Sequence, residues 1–454
     1  MVATRKERSG PFGEQARADL IAAASGPDRL VTVATWLLIG YLVLGRAFAQ
    51  IGLPGANVFL GEVIIVALLV IPSTRAVFVR SLEWLTRPGP FHVQTCAAVL
   101  FIGFGLLLVV GGFFAGHDPL QTLKNLAFNY YVVMMLAGLA IGVRDRELLP
   151  RLALLLPWLN AAYVLIFMLA LRGVTVSLPF SAIEGLTPGA ATVVSLALIV
   201  CYDPAPGRRW YLIAANVFCL LFLQVRGDWL AATLGLGIWA TLRRRWRSIL
   251  VIGAVGLGAL LFVSVLDLSI PGAADRGGAV SAEEIFARAV APIDPELAAR
   301  YSDEVEGFAG TAEWRQRWWD DIWASVHTTD TRTLFGHGYG FPLHSVADFL
   351  AGEDTNIRTP HNVFFYALGF SGWLGVAIFA TLHLTILAAL IRVYREFGDV
   401  FGVVLWVMAT SSALFGNFFE TPYNSAPYWF MVGVVLSRLM PADDEAARRA
   451  QFSR

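Results

Sequence analysis

Long runs of apolar residues dominate the chain and decide what it can fold into. About twelve segments have the roughly 17–25 mainly apolar residues that an α-helix needs to cross a bilayer. They are 30–53, 57–74, 92–115, 122–143, 149–172, 186–202, 209–225, 227–242, 249–270, 364–391, 398–418 and 424–440. Because 57% of the 454 residues are hydrophobic and only 15% are charged, a soluble domain of this size is excluded. The sequence predicts an all-α, polytopic membrane protein with about twelve transmembrane helices.

The distribution of basic residues predicts which way these helices run. If the amino terminus is cytoplasmic, internal segments hold 23 of the 34 lysines and arginines, whereas the short external turns hold Lys124, Arg172 and Arg226. Cytoplasmic loops of membrane proteins are enriched in basic residues. We therefore expect both termini on the cytoplasmic side of the membrane. The zero net charge gives no indication of a nucleic-acid partner.

One long external segment divides the predicted helices into two groups. We expect a cytoplasmic segment at 1–29, helices 1–9 over 30–270, an external loop at 271–363, helices 10–12 over 364–440 and a cytoplasmic tail at 441–454. Inside the loop, Ser281 and Glu284 have the spacing of a capping box that opens a short helix. A second helix is expected over 312–326, with Trp314 and Trp318 on one side.

Two arginines on the external side are candidates for an anion site. Arg226 lies in a tight turn between two short helices, and Arg315 precedes a cluster of tryptophans. Arginine stays charged and can hold phosphate oxygens in a bidentate way. The alternative for Arg226 is an interfacial side chain that caps the turn. The alternative for Arg315 is a helix that lies flat at the membrane surface with its aromatic side chains at headgroup depth.

A histidine and a glycine-rich turn mark the end of the external loop. His361 follows Pro360 and precedes an apolar helix, and a histidine with an ordinary pKa near 6.5 can act as a general base at neutral pH. It could instead only cap the turn. The stretch Gly-His-Gly-Tyr-Gly over 336–340 lets the backbone adopt positive φ or approach a ligand. His337 is therefore the second histidine of interest.

The sequence predicts no metal site. It lacks a His-Glu-x-x-His pattern, a cysteine pair and an Asp-x-Asp pattern that would hold a magnesium–diphosphate complex. Asp320 and Asp321 are adjacent on a predicted helix, so their side chains diverge by about 100° and do not face one ion.

Taken together, these motifs resemble the O-antigen ligase and polymerase superfamily. The resemblance rests on the Arg-Gly of a late external turn, the arginine before a tryptophan-rich helix, the glycine-rich turn and the stretch from His361 to Gly375. The Phe-Phe-Glu-Thr-Pro segment that begins at Phe418 is similar as well. The motifs cover about 220–440, and the first 200 residues match only in topology. The family usually has serine before the Arg-Gly, where this chain has Val225.

The resemblance implies a metal-independent, inverting membrane glycosyltransferase that needs no cofactor. It implies an undecaprenyl-diphosphate-linked oligosaccharide as donor, a lipid-linked repeat unit or lipid A core as acceptor, and a periplasmic catalytic loop at 271–363. Arg226 and Arg315 match the family's diphosphate-binding arginines, and His361 matches its catalytic histidine. We also expect substrate contacts from the loop residues His337, Tyr339, Asn362 and Trp318, the last as a stacking platform for sugar rings.

A transporter or flippase for a lipid-linked sugar is the alternative function. A transporter should have broken helices and charged residues near mid-membrane in two related halves. The intramembrane charges are few, with Arg46 and Glu62 as candidates, whereas the distinctive residues gather around one external loop. This favours an enzyme. Polymerase and ligase use the same donor and stay open, with a slight preference for a polymerase because nothing marks a lipid A core site.

The basic-residue asymmetry makes a topology prediction. A reporter fused near Ala351 should be extracytoplasmic, and a reporter fused near Arg245 should be cytoplasmic, in a paired alkaline phosphatase and green fluorescent protein assay. The reverse result at either site would overturn the orientation and, with it, the face of the membrane on which the donor is bound.

Overall fold

The computed structural model describes the chain from residue 29 to residue 440 with gaps. The described residues are 29–53, 58–71, 75, 79, 91–171, 174–178, 181–184, 186–203, 207–266, 270–271, 279–291, 294–301, 305–350 and 359–440. The expected cytoplasmic tail at 441–454, and the amino-terminal segment apart from Arg29, lie outside the described residues.

Helices make up most of the described chain. Up to the long loop they are α1 (Arg29–Leu44), α2 (Arg46–Ala49), α3 (Leu60–Val70), α4 (His92–Phe114), α5 (Pro119–Asn125), α6 (Ala127–Tyr130), α7 (Met134–Arg144), α8 (Leu148–Ile166), α9 (Ala191–Tyr202), α10 (Arg209–Leu223), α11 (Arg226–Arg243) and α12 (Trp246–Val265). From the loop onwards they are α13 (Ala282–Val290), α14 (Pro295–Ala298), α15 (Val305–Val326), α16 (Asp330–Phe335), α17 (Val363–Phe397), α18 (Phe401–Phe415) and α19 (Pro422–Leu436).

Short irregular helices and three antiparallel hairpins complete the described elements. Single turns of 3₁₀-helix cover Tyr131–Val133, Leu343–Val346, Asp348–Leu350 and Ser437–Leu439, and a π-turn covers Phe167–Leu171. The hairpins are β1 (Gly52–Leu53) with β2 (Val58–Phe59), β3 (Thr175–Leu178) with β4 (Ser181–Glu184), and β5 (Ile270–Pro271) with β6 (Ala279–Val280). The helical fold class is confirmed, and the hairpins are local ribbons in connections where backbone groups pair across a turn.

Membrane-crossing length is confirmed for part of the predicted set. Five helical stretches of the described chain are long and apolar enough to span a bilayer, namely His92–Phe114, Pro119–Arg144, Leu148–Leu171, Trp246–Val265 and Val363–Phe397. Four shorter apolar helices are Arg29–Leu44, Ala191–Tyr202, Arg209–Leu223 and Phe401–Phe415. The count of about twelve spans and the periplasmic position of the long loop stay predictions.

The helices of the long loop follow the predicted patterns. Ser281 caps α13, since its hydroxyl oxygen accepts a hydrogen bond from the amide of Glu284 at 3.1 Å. The second helix, α15, begins at Val305, seven residues before the predicted start, and ends at Val326 as predicted. Trp318 and Ile322 on this helix are fully buried. The i, i+4 stripe therefore packs into the protein core.

A break in α17 provides the backbone carbonyls to which the long loop is hydrogen-bonded. Gly372 has φ 61° and ψ −168°, which interrupts the helical ladder. In an unbroken helix the carbonyls of Gly369 and Phe370 would accept from amides four residues ahead. Here they accept from the amides of His337 at 2.8 Å and Gly338 at 3.0 Å. The glycine-rich turn therefore supplies the donors that the break removes, as buried backbone carbonyls require.

Close backbone approach makes glycine necessary at this break. A Cβ built on Gly372 would meet the carbonyl carbon of Leu334 at 2.4 Å and the amide nitrogen of Gly336 at 2.6 Å. Its positive φ is also a conformation that side chains other than glycine's rarely adopt. The loop and the helix thus touch backbone to backbone.

Gly372→Ala should therefore loosen the loop. The added methyl group has no room between Leu334 and Gly336, and overpacking of this kind costs about 1–3 kcal/mol of unfolding free energy. The change should lower the melting temperature of the purified protein and raise amide exchange over 336–340. Gly253→Ala is the control, because a Cβ there meets nothing within 4 Å. Equal melting temperatures for the two variants would contradict this packing.

Candidate active site

One cavity of about 800 Å³ collects three of the candidate residues from separate parts of the chain. Arg226 at the start of α11, Arg315 on α15 and His361 before α17 all line it. The remaining walls come from α1, α9, α13, α18 and α19 and from connecting segments. The structure therefore brings together residues that are up to 135 positions apart in the sequence.

The turn between α10 and α11 places Arg226. Gln224 ends α10 in a left-handed conformation with φ 53°, and Val225 is extended, so the chain reverses within two residues. Trp229 donates a hydrogen bond from its indole Nε1 to the carbonyl of Leu220 at 2.8 Å, which ties the two helices together. Arg226 is thus the first residue of an 18-residue helix. The partial positive charge of that helix end adds to the charge of the side chain.

Helical periodicity places Arg315. It lies three residues before Trp318 and seven before Ile322, so all three share one side of α15. The buried pair fixes the helix against the core, and Arg315 projects one turn further along the same side. Its Nη1 donates to the carbonyl of Phe415 at 3.4 Å. The guanidinium is therefore held near the carboxyl end of α18, where the helix dipole favours a cation.

Contacts on both sides hold His361 in an unusual backbone conformation. Its φ is 53°, in the left-handed region that residues other than glycine seldom occupy. On one side, Trp319 donates from Nε1 to the carbonyl of Pro360 at 2.8 Å, and its ring stacks on Phe365 with centroids 5.2 Å apart. On the other side, Asn362 accepts from the amide of Phe364 at 2.8 Å. Such strain persists only where surrounding contacts enforce it.

The cavity keeps His361 neutral. Burial and the charge of Arg315 lower the pKa of His361 from 6.5 to about 4. Its imidazole therefore has a lone pair available to accept a proton at neutral pH. Burial and the charge of Arg288 also lower the pKa of Arg226. Cationic side chains thus act on one another around this cavity, an arrangement that an anionic ligand would relieve.

The lining also holds residues that the sequence analysis did not single out. Arg288 from α13 and Asp228 from the first turn of α11 face the same space. The signal for Arg288 was weak, because it is only an arginine four residues after a glutamate on a short helix. An apolar wall completes the cavity, with Leu42, Val193, Val194, Leu405, Met408 and Met431. Both cationic and apolar side chains therefore line the cavity.

Four residues expected to contact substrate do not line this cavity. Trp318 is 0% exposed and donates from Nε1 to the carbonyl of Leu343 at 3.0 Å, so neither ring face is open to a sugar. Tyr339 is 1% exposed, and its hydroxyl is hydrogen-bonded to Asn129. Both side chains are buried because the loop folds onto the helices, which the sequence pattern alone did not reveal.

The other two residues of that set serve the loop itself. His337 stacks on Phe341 with ring centroids 4.2 Å apart, and its Nε2 lies 3.0 Å from the hydroxyl of Ser325. Asn362 caps α17, and its Nδ2 donates to the carbonyl of Leu414 at 3.0 Å. These residues lie outside the cavity lining, and the expected substrate contacts stay predictions. Asn362 acts next to the cavity, because its side-chain hydrogen bonds fix the backbone directly after His361.

No group of three or more histidine, cysteine, aspartate or glutamate side chains that could hold a metal ion occurs in the described ranges. The expectation that the protein works without a metal stays a prediction, which the activity assay below tests.

Comparison with known protein families finds a family to which part of the chain is similar. Residues 211–380 match the model of a family described as O-antigen ligase. This match confirms the resemblance to the O-antigen ligase and polymerase superfamily. The segment similar to the O-antigen ligase family includes Arg226, Arg315 and His361. It supports a membrane enzyme of the ligase or polymerase type at a coarse level. A search of curated proteins finds no match.

His361 should titrate far below an ordinary histidine. In nuclear magnetic resonance of ring-labelled protein, the signal that His361→Gln removes should have a midpoint near pH 4. Arg315→Gln should raise that midpoint, because it removes a neighbouring positive charge. Arg317→Gln is the control, since Arg317 is exposed and pairs with Glu313. A midpoint that Arg315→Gln leaves unchanged would show that the two groups do not interact.

Proposed function

We propose that the protein transfers a glycan from undecaprenyl diphosphate to an acceptor sugar hydroxyl on the periplasmic face of the inner membrane. The observation that carries this proposal is the convergence of Arg226, Arg315 and His361 on one cavity, within the segment that matches the O-antigen ligase family. The three side chains come from separate elements, so their meeting is a property of the fold. Anion-binding groups and a neutral base are the parts that such a transfer needs.

The cavity is lined by both cationic and apolar side chains, which suits an amphiphilic donor. Guanidinium groups bind phosphate oxygens through paired, charge-assisted hydrogen bonds. The wall that includes Leu405 and Met408 offers apolar surface to a polyprenyl chain, and burial of such surface contributes about 25 cal/mol per Å². A free sugar nucleotide would leave that wall without an apolar partner. A lipid-linked diphosphate fits both kinds of side chain.

The mechanism follows from the roles of the three side chains. His361 accepts the proton of an acceptor hydroxyl, and the hydroxyl oxygen attacks the anomeric carbon of the donor sugar. The bond between that carbon and the phosphate oxygen breaks, and its electron pair leaves with undecaprenyl diphosphate. Arg226 and Arg315 stabilise the negative charge that develops on the leaving group. Attack from the face opposite the leaving group inverts the anomeric centre.

Two questions remain distinct: whether the protein is a polymerase or a ligase, and whether it is an enzyme or a transporter. A lipid-linked repeat unit makes the protein a polymerase and lipid A core makes it a ligase, and we favour the polymerase. The broken helix α17 could suggest a transporter, because unwound segments hold substrates in such proteins. Here the carbonyls freed at Gly372 accept from amides of the loop. They therefore offer no open site, which favours an enzyme.

Substitutions at the three residues should have separable effects on turnover. The assay uses purified protein in nanodiscs, a defined undecaprenyl-diphosphate oligosaccharide and EDTA, with mass analysis of the products. His361→Gln should retain donor binding and reduce the rate by about 10²–10⁴, because glutamine cannot take the proton. Arg226→Lys and Arg315→Lys should each cost about 10²–10³ in rate, since a point charge does not reproduce the guanidinium fork. Arg317→Lys is the matched control and should remain active.

A structural histidine, a metal-dependent reaction and a transporter would each give a different result. Near-native turnover of His361→Gln would make the histidine structural. Activity that EDTA abolishes and magnesium restores would reveal an ion site and contradict metal independence. In sealed proteoliposomes made with the same protein, movement of the donor across the bilayer without any glycan transfer would identify a transporter.

A further inference from the structure

We propose that Arg288 is a third anion-binding arginine of the cavity and sets its preference for a diphosphate over a monophosphate, with Glu284 as its positioning residue. This inference rests on the proposed function, because it adds a donor-binding residue to the same site. It begins from a side chain that neither the sequence motifs nor the mechanism above uses.

A buried ion pair fixes the guanidinium. Arg288 donates from Nε to Oε1 of Glu284 at 3.1 Å, and the two residues are only 5% and 7% exposed. Desolvating two charges is costly unless the geometry is good and further polar groups are satisfied. The same arginine lines the cavity, whereas Glu284 does not. Glu284 therefore fixes the guanidinium of Arg288 from outside the cavity, and Arg288 itself faces the cavity.

The helix that carries Arg288 is anchored to the membrane helices. Ile285 on α13 packs in one apolar cluster with Val164, Phe167 and Phe222. Ser281 caps the helix. Although α13 belongs to the long loop, it thus contacts α12 and shares an apolar cluster with side chains of α8 and α10. Arg288 is presented from a fixed support, as a preorganised binding residue should be.

The charges of the lining fit a diphosphate. In the part of the chain that the structure describes, three arginines and one carboxylate, Asp228, line the cavity, and Glu284 pairs with Arg288 from outside it. Arg288 lies near enough to Arg226 for its charge to lower the pKa of that guanidinium. At neutral pH the phosphate of farnesyl monophosphate carries a charge of about −1.5 to −2. Farnesyl diphosphate carries about one more negative charge and presents a second phosphate group to the guanidinium groups. The third arginine should therefore raise the affinity for a diphosphate more than the affinity for a monophosphate.

A second ion pair in the loop provides a matched control. Glu313 and Arg317 on α15 have the same i, i+4 spacing, but their side chains are 62% and 64% exposed and neither lines the cavity. Exposed pairs of this kind contribute little. Replacing both members of each pair by glutamine removes the same two side-chain types. A difference in ligand binding between the two double variants therefore comes from where the pair lies.

The test measures binding to the full-length protein in nanodiscs made of zwitterionic lipid. The probes are farnesyl diphosphate and farnesyl monophosphate, which share one apolar chain. The double variant Glu284→Gln/Arg288→Gln leaves no lone buried charge. It should bind the diphosphate about 10–100-fold more weakly, the effect of losing hydrogen bonds to a charged group, and the monophosphate less than about threefold more weakly. Glu313→Gln/Arg317→Gln should bind both probes like the unmodified protein.

The role of Glu284 has its own readout. If it acts only through Arg288, then Glu284→Gln should lose part of the diphosphate affinity in the unmodified background and nothing more once Arg288 is glutamine. Equal losses in both backgrounds would contradict a positioning role. Should the double variant fail to fold, Arg288→Lys retains the charge and can retain the pair. It should then bind the diphosphate at least about threefold more weakly because the fork is lost.

Failure of this inference can be told apart from failure of the proposed function. Unmodified protein that does not bind farnesyl diphosphate would contradict the proposed function itself. Unmodified protein that binds it, with Arg226→Lys weakened and Glu284→Gln/Arg288→Gln unchanged, would overturn only the role of Arg288. Equal weakening of diphosphate and monophosphate binding in the double variant would overturn the claimed selectivity.

Discussion

The break of α17 at Gly372 is the constraint on which the candidate site depends. It leaves two backbone carbonyls inside the protein without helical donors, and the amides of His337 and Gly338 replace them. The long loop is thereby joined to the first half of α17. That half begins directly after His361 and is capped by Asn362. A few backbone hydrogen bonds thus couple the position of the loop to the position of the candidate base.

The loop in turn brings the cationic side chains to the cavity. Its helix α15 buries Trp318 and Ile322 against the core and directs Arg315 along the same side. Its helix α13 is anchored through Ile285 and carries Arg288. Since like charges gathered in a partly desolvated space repel one another, the fold holds them at a cost that a bound anion would offset. The burial that carries this cost also keeps His361 neutral.

The sequence predicted the parts of this arrangement that depend on local patterns. Apolar runs located the helices, the spacing of Ser281 and Glu284 located a cap, and motifs located Arg226, Arg315 and His361. Tertiary packing decided the rest. Trp318 and Tyr339 are residue types that often contact ligands, but both are buried in the protein. Arg288 and Arg317 have the same local pattern, a glutamate four residues earlier, yet only Arg288 lines the cavity. No motif distinguishes these two arginines, because both helices are anchored to the core and the difference lies in which side of each helix faces the cavity.

A structure of the protein with an uncleavable undecaprenyl-diphosphate oligosaccharide analogue, determined by cryo-electron microscopy in nanodiscs, tests the central claim most directly. The account predicts density for the diphosphate within hydrogen-bond distance of Arg226 and Arg315, the anomeric carbon facing His361 and the lipid chain along Leu405 and Met408. A diphosphate bound elsewhere, with the cavity empty, would contradict it.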